Sequence, residues 1–193
     1  MSKLETPKQV SYHKRCLTLL PYQFTGNDLN RMSLGFFLLN SLDILDQLSS
    51  TTSYDRREWI DWIYKCQTPT GGFRGSTATI TEKTSIYDVP HLPANYFALA
   101  SLLILADDLK RVNREGILDQ LRRSQNEDGS FSPVLINNNR IGESDVRQTY
   151  CAIAVRHILS PVSPEEDINV AAALSYVQSC KVRVFHRLLM IDL

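Results

Sequence analysis

The chain has 193 residues, 43% of them hydrophobic, and its 21 Lys and Arg side chains balance 21 Asp and Glu side chains. This length and apolar content suffice for one domain with a core, and the balanced charge gives no basic excess of the kind that attracts nucleic acid or an anionic membrane surface. The four cysteines are widely spaced, the N-terminus has no apolar signal region, and no apolar run reaches the roughly 20 residues of a membrane span. We therefore expect a cytoplasmic protein with reduced thiols that is not an integral membrane protein.

Two helices are predicted at the start of the chain. The first covers 12–20 and ends at Pro21, since proline cannot continue a helix. The second begins after a cap at Asn27 or Asp28 and extends to about residue 48. It is apolar on nearly every side, which predicts that protein surrounds it.

The next elements are an outer helix, a long loop and an inner helix. The outer helix, 56–66, is opened by Ser53 or Asp55 and mixes tryptophans with charged residues, as an amphipathic surface helix does. The loop, 71–91, has few apolar residues, and so long a loop in a compact domain is usually functional or disordered. The inner helix, 94–106, is strongly apolar.

The same order follows a second time. Asn113 is predicted to cap the outer helix 114–124, and 131–140 is predicted to be a loop. Ser144 is predicted to cap the inner helix 146–159, with Arg147 in its first turn.

A third outer helix is predicted near the end of the chain. Ser163 at the cap, followed by Pro164 and Glu166, is a strong helix-start signal. Its later part, 171–181, resembles the ends of the two earlier outer helices.

The turn that follows the outer helices is repeated. Gln67 and Gln125 are each followed by a glycine four residues later and a phenylalanine six residues later, and the two glutamines lie 58 positions apart. Glycine provides the positive φ that ends a helix, and the phenylalanine can fold back onto apolar surface. Gln178 comes 53 positions after Gln125. Such repeated helix pairs stack on their neighbours as a ring or a solenoid.

Five segments in one order carry a resemblance to a known family: 73–76, 91–96, 107–113, 128–131 and 143–152. Together they resemble the β subunit of protein prenyltransferases, closest to geranylgeranyltransferase type I. The resemblance implies an all-α fold, the α-α toroid of helix-pair repeats, as an incomplete ring over 1–181 with a divergent tail over 182–193. It also implies a heterodimer with an α subunit that transfers a geranylgeranyl group from geranylgeranyl diphosphate to the cysteine of a CaaX-box protein.

Other functions remain open from the residues. The β subunits of Rab geranylgeranyltransferase and of farnesyltransferase belong to the same class of enzyme. A helical-repeat binding module without catalytic activity belongs to a different class.

The resemblance assigns isoprenoid and peptide binding to six residues of the inner helices, namely Ser33, Phe37, Ala94, Tyr96, Arg147 and Tyr150. Ser33 aligns where farnesyltransferases carry a tryptophan, and a small side chain there leaves room for one more isoprene unit. Arg147 lies in the first turn of a helix, where its charge and the free N–H groups favour an anionic ligand. The alternatives are that Arg147 simply pairs with Glu143 or Asp145, and that the aromatic residues are ordinary core.

No catalytic residue or metal ligand is assigned. The zinc ligands of the family, an Asp-x-Cys pair and a later histidine, match nothing in this chain, and neither do its diphosphate-binding basic residues. The third glycine turn does not follow Gln178. We therefore expect a truncated, inactive form without stoichiometric zinc. His91 is predicted to make a loop hydrogen bond, and Cys151 to be a small buried residue.

Overall fold

The computed structural model describes residues 6–80, 88–163 and 167–181, and within these ranges the chain is mostly helical. The helices are α1 (Thr6–Thr18), α2 (Arg31–Ile44), α3 (Ser53–Lys65), α4 (Leu92–Ile104), α5 (Arg114–Ser124), α6 (Val146–Leu159) and α7 (Val170–Ser179). Short 3-10 helices cover Tyr22–Asn30, Leu48–Ser50 and Thr77–Thr79. The strands β1 (Val134–Ile136) and β2 (Asn139–Ile141) form an antiparallel hairpin. The all-α prediction is confirmed.

The helices form two layers around one core. Inner helix α4 packs between α2 and α6, while the outer helices α3, α5 and α7 contact α4 or α6. Apolar side chains such as Leu99, Leu102 and Ile117 are fully buried between the layers. The predicted alternation of outer and inner helices is therefore confirmed.

The repeated glycine turn is observed in both copies. An antiparallel bridge joins Gln67 to Phe73 and another joins Gln125 to Phe131, and both phenylalanines are completely buried. Gly129 has a φ of +88°, and a Cβ on it would lie 2.1 Å from the carbonyl oxygen of Ala172. The turn thus needs glycine for its conformation and for the close approach of the next outer helix.

The glutamine of each turn binds the start of the next outer helix. Gln67 Oε1 accepts a hydrogen bond from the Asn113 backbone N (2.8 Å), and Gln67 Nε2 donates to the Arg111 carbonyl oxygen (3.1 Å). Gln125 Oε1 accepts from the Asn169 backbone N (2.7 Å), and its Nε2 donates to the Asn169 carbonyl oxygen (2.9 Å). Both asparagines also cap their helices through their side chains, so the predicted Asn113 cap is confirmed.

Replacing Gln125 with alanine is expected to destabilise the junction with α7. The change leaves the polar groups of Asn169 without their partners, at about 1–3 kcal/mol of unfolding free energy. Urea unfolding gives the loss, and amide hydrogen exchange should accelerate in the first turn of α7. The matched control is Gln178→Ala, because that side chain is exposed. Equal effects of the two changes would contradict the role of Gln125.

The predicted limits of the first two helices were wrong. Helix α1 begins at Thr6 rather than residue 12, and α2 begins at Arg31, without a side-chain cap from Asn30, because a 3-10 helix occupies Tyr22–Asn30. Helix α2 ends at Ile44, since Asp46 adopts a left-handed φ of +53°.

The prediction that protein surrounds α2 was also wrong for the part of the chain that the structure describes. Phe37 is 55% exposed and Ile44 is 74% exposed. A helix can be apolar on every side while the described neighbours cover only part of its circumference.

Two helices are capped by neighbours of the residues that the sequence predicted as caps. Thr52 caps α3 in a capping box with Asp55, which lies in the first turn of the helix. Asp145, not Ser144, caps α6, because its carboxylate accepts from two backbone N–H groups of the first turn. The Ser144 hydroxyl instead bonds the Asn126 side chain at 2.8 Å.

Helix α7 begins later than predicted. Its cap is Asn169 rather than Ser163, which lies before the helix. Pro164 and Glu166 of the predicted start signal, and the predicted tail 182–193, lie outside the described residues.

The predicted loop 131–140 contains most of the β hairpin, whose second strand ends at Ile141. Asn137 and Asn138 have φ values of +48° and +68°, the left-handed pair that a two-residue hairpin turn requires. The strands are too short for an alternating pattern to reveal them.

The predicted loop 71–91 begins as part of the core. Residues 71–76 are all buried, and Arg74 Nε lies 2.7 Å from Asp88 Oδ1 across the loop, whose residues 81–87 lie outside the described ranges. His91 ends the loop as the cap of α4, its Nδ1 accepting from the Ala94 backbone N at 3.2 Å. The predicted hydrogen bond of His91 is confirmed.

Candidate functional site

Five aromatic rings on the inner helices form one connected surface, which we call the aromatic face: Phe36, Phe37, Tyr96, Phe97 and Tyr150. Ring centroids lie 5.2 Å apart for Phe36 and Phe97, 5.6 Å for Phe37 and Phe97, and 5.4 Å for Tyr96 and Tyr150. Phe37 is 55% exposed and Tyr150 is 61% exposed. The face therefore joins α2, α4 and α6 and remains open to an apolar partner.

Local sequence explains why the rings meet. The pairs Phe36-Phe37 and Tyr96-Phe97 stand on α2 and α4, which pack closely, and Tyr150 stands in the second turn of α6. The buried positions of these helices face the outer layer. Leu103 of α4 and Ile153 of α6 are further exposed apolar side chains of the inner helices.

The tyrosines bring polar groups to this apolar surface. The hydroxyl oxygens of Tyr96 and Tyr150 lie 3.2 Å apart, at hydrogen-bond distance. Burial, together with the bond to Tyr150, raises the pKa of Tyr96 to about 12. Tyr96 is therefore a neutral hydroxyl at physiological pH, able to donate or accept a hydrogen bond.

Arg147 forms an ion pair with Asp145, one of the two partners that the sequence suggested. Its Nε and one terminal nitrogen donate to Asp145 Oδ2 at 2.9 Å and 2.5 Å, and this pairing holds the pKa of the Asp145 carboxyl below its usual range. The Arg147 side chain is nevertheless 81% exposed. Exposed ion pairs are weak, so an anionic ligand can compete for this guanidinium.

The remaining predicted site residues lie apart from the rings. Ser33 is half-buried one turn before Phe37, and its hydroxyl donates to the carbonyl oxygen of Asn30 at 2.8 Å. Ala94 is completely buried in the inner layer and does not reach the aromatic face, whereas Tyr96 and Phe97, in the second turn of α4, are only partly buried. Phe36 and Phe97 belong to the face but were not predicted. The sequence signal for these two residues is that each stands next to a predicted aromatic site residue on an inner helix.

The described residues do not fit a zinc site. Within 6–80, 88–163 and 167–181, no group of three His, Cys, Asp or Glu side chains is placed to hold a metal ion. Burial raises the pKa of Cys66 to about 12 and that of Cys151 to about 11, which keeps both thiols protonated, whereas metals bind thiolates. No catalytic step can be assigned to zinc from these residues, and Cys151 is buried as predicted.

Among the described helices, none combines the length and apolarity needed to cross a bilayer.

Comparison with known proteins identifies relatives of this sequence. The geranylgeranyl transferase type-1 subunit beta of Dictyostelium discoideum is 30% identical over 93% of this chain and 55% of its own length. The subunit of the same name from Arabidopsis thaliana is 27% identical, over 93% of this chain and 49% of its own length. The Arabidopsis thaliana protein farnesyltransferase subunit beta is 30% identical, over 94% of this chain and 34% of its own length. The chain thus spans about half the length, or less, of these relatives.

A solved structure shares the fold of this chain, and a family model matches its sequence. The solved structure of Candida albicans protein geranylgeranyltransferase-I complexed with GGPP superposes with a TM-score of 0.79 at 24% identity, covering 92% of this chain and 51% of that one. This likeness confirms the predicted toroid fold. A family model, the prenyltransferase alpha-alpha toroid domain, matches residues 4–183. The chain therefore belongs to the prenyltransferase α-α toroid family.

Proposed function

We propose that the chain is part of the β subunit of a protein prenyltransferase and that the aromatic face binds the isoprenoid chain of a prenyl diphosphate. The observation that carries this proposal is the aromatic face, whose rings come from three inner helices and remain partly exposed to solvent. Covering an exposed phenylalanine such as Phe37 contributes up to about 1.5–3 kcal/mol through burial of apolar surface. The relatives named as prenyltransferase β subunits support the proposal.

The polar residues of the face have separate roles in this proposal. The paired hydroxyls of Tyr96 and Tyr150 interrupt the apolar surface and orient a ligand by hydrogen bonding. Arg147, in the first turn of α6, offers an exposed cation at the positive end of the helix dipole, a place suited to a diphosphate or a peptide carboxylate. In this proposal Tyr96, Tyr150 and Arg147 bind and orient the substrates, whereas the transfer of the isoprenoid group requires other residues.

We further propose geranylgeranyl diphosphate as the lipid donor. The small Ser33 side chain lies one turn before Phe37, and its hydroxyl donates to the Asn30 carbonyl oxygen. In this proposal a larger side chain at this position would overlap the end of the isoprenoid. In the same proposal the chain works in the cytoplasm with an α subunit, on CaaX-box proteins.

Replacing Ser33 with tryptophan is expected to shift lipid preference. The indole would occupy the space of the last isoprene unit, so the affinity for geranylgeranyl diphosphate should fall about tenfold relative to farnesyl diphosphate, or 1.4 kcal/mol. Equilibrium dialysis of both labelled diphosphates, with the chain co-expressed with a prenyltransferase α subunit, measures the ratio.

The control for this substitution is Ser49→Trp, at an exposed position of the 3-10 helix Leu48–Ser50, which should leave the ratio unchanged. An unaltered ratio in Ser33→Trp would contradict the assigned lipid. Failure of the unmodified chain to bind either diphosphate in the presence of the α subunit would contradict the proposed function itself.

A further inference from the structure

A cavity of about 410 Å³ lies between the outer helix α3 and helices α1 and α2. Its walls include Cys16 of α1, Met32 and Leu39 of α2, and Trp59 and Trp62 of α3. It shares Phe36 with the aromatic face but takes no wall from α6. Its volume falls in the range of about 300–1,000 Å³ that is typical of small-molecule sites.

One buried polar atom in the cavity wall has no partner. Ser101 of α4 is 1% exposed, and within the described residues its Oγ makes no hydrogen bond. A serine inside a helix ordinarily bonds the carbonyl of the preceding turn, and a buried hydroxyl without a partner is costly. Ser101 lines the cavity while its Oγ is itself buried, so a ligand oxygen or hydroxyl would supply the missing bond once the serine side chain rotates toward the cavity.

A glycine keeps the cavity open on the side of α2. Gly35 stands in the middle of the helix, where glycine is less favourable than any residue except proline. A Cβ built on Gly35 would meet no atom within 4 Å. The glycine is therefore not required by a close contact, and its missing side chain leaves space in the cavity.

The charged residues of the wall are engaged elsewhere or face solvent. Arg31 pairs with Asp28 at 3.5 Å and donates to the carbonyl oxygen of Thr18 at 3.1 Å. Asp55 belongs to the capping box of α3, and Glu58 is exposed. The buried part of the cavity thus presents apolar and aromatic side chains, the Cys16 thiol and the Ser101 hydroxyl. The wall hydroxyls of Thr18 and Tyr54 belong to exposed residues.

We propose that this cavity binds a compact, uncharged, apolar molecule that carries one hydroxyl or carbonyl group. The polar group bonds Ser101 Oγ, and the apolar body packs against Trp59 and Trp62. The site differs from the proposed prenyl-binding surface, because α1 and α3 supply walls of the cavity and take no part in the aromatic face, although Phe36 of α2 belongs to both. It can be tested without substrates of that reaction.

The cavity contains its own reporters, because Trp59 and Trp62 are the two tryptophans of the chain. The probe is 4-bromocyclohexanol, whose bromine quenches indole fluorescence on contact. Titrating the 193-residue chain should give saturable quenching. Bromocyclohexane, which lacks the hydroxyl, should bind about fivefold more weakly because it cannot bond Ser101. Quenching that rises linearly with both probes would overturn the proposal.

Two variants separate the cavity from other binding places. Gly35→Leu fills the part of the cavity beside position 35 and should abolish saturable quenching. The melting temperature should stay at or above that of the unmodified chain, because leucine is a better helix former than glycine. Ser101→Ala should keep the binding of bromocyclohexane and lose the preference for the alcohol. Unchanged affinity in Gly35→Leu, or a preference retained in Ser101→Ala, would overturn the site. If Gly35→Leu fails to fold, Ser101→Ala alone tests the site.

Discussion

Replacing Gly129 with alanine is expected to lower the free energy of unfolding by about 3 kcal/mol or more. At a φ of +88°, any residue with a Cβ is strained. The added Cβ would also lie 2.1 Å from the carbonyl oxygen of Ala172, a backbone atom that can move only if α7 moves. Strain and overpacking therefore act together, and each is worth about 1–3 kcal/mol.

The effect of Gly129→Ala is measured by urea unfolding followed by circular dichroism. Hydrogen exchange should show that α7 loses protection before α4 does. The matched control is Gly35→Ala, where the Cβ meets open space and the helix should gain about 0.5–1 kcal/mol. A loss of the same size at both glycines would mean that contact with α7 is not the reason.

Replacing Asn95 with leucine is expected to cost about 2–6 kcal/mol of unfolding free energy. Asn95 is 1% exposed, and its Oδ1 accepts from the Phe73 backbone N at 2.6 Å while its Nδ2 donates to Gln120 Oε1 at 3.0 Å. Gln120 Nε2 in turn donates to the Pro90 carbonyl oxygen at 3.2 Å. The asparagine thus joins an inner helix to a glycine turn and to an outer helix, and leucine leaves two buried groups unpaired, each at about 1–3 kcal/mol.

A double-mutant cycle tests whether this network acts as a unit. Gln120→Leu in the Asn95→Leu background removes a group that is already unpaired, so the double variant should lose less than the sum of the two single losses. Urea unfolding of the four proteins gives the coupling energy. Strict additivity would show that Asn95 and Gln120 contribute independently.

The aromatic face shows where prediction from the sequence ended. Phe37, Tyr96 and Tyr150 were predicted from the family resemblance, and the structure brings them together with Phe36 and Phe97. Ala94 came from the same resemblance but is completely buried. Helical periodicity predicts which residues share one face of a helix. The packing of α2, α4 and α6 decides which of those side chains remain exposed.

The sequence by itself determined the features that depend on neighbouring residues. The glycine and phenylalanine of the repeated turn, the Asn113 cap and the alternation of outer and inner helices follow from backbone conformation and helical periodicity, which act over a few residues. Only the tertiary structure decided the features that join distant segments. The bonds of Gln125 to Asn169 and of Asn95 to Phe73 span 44 and 22 residues, and no local pattern marks these amides as buried. The unpaired hydroxyl of Ser101 and the space beside Gly35 likewise exist only because α1, α2 and α3 pack around them.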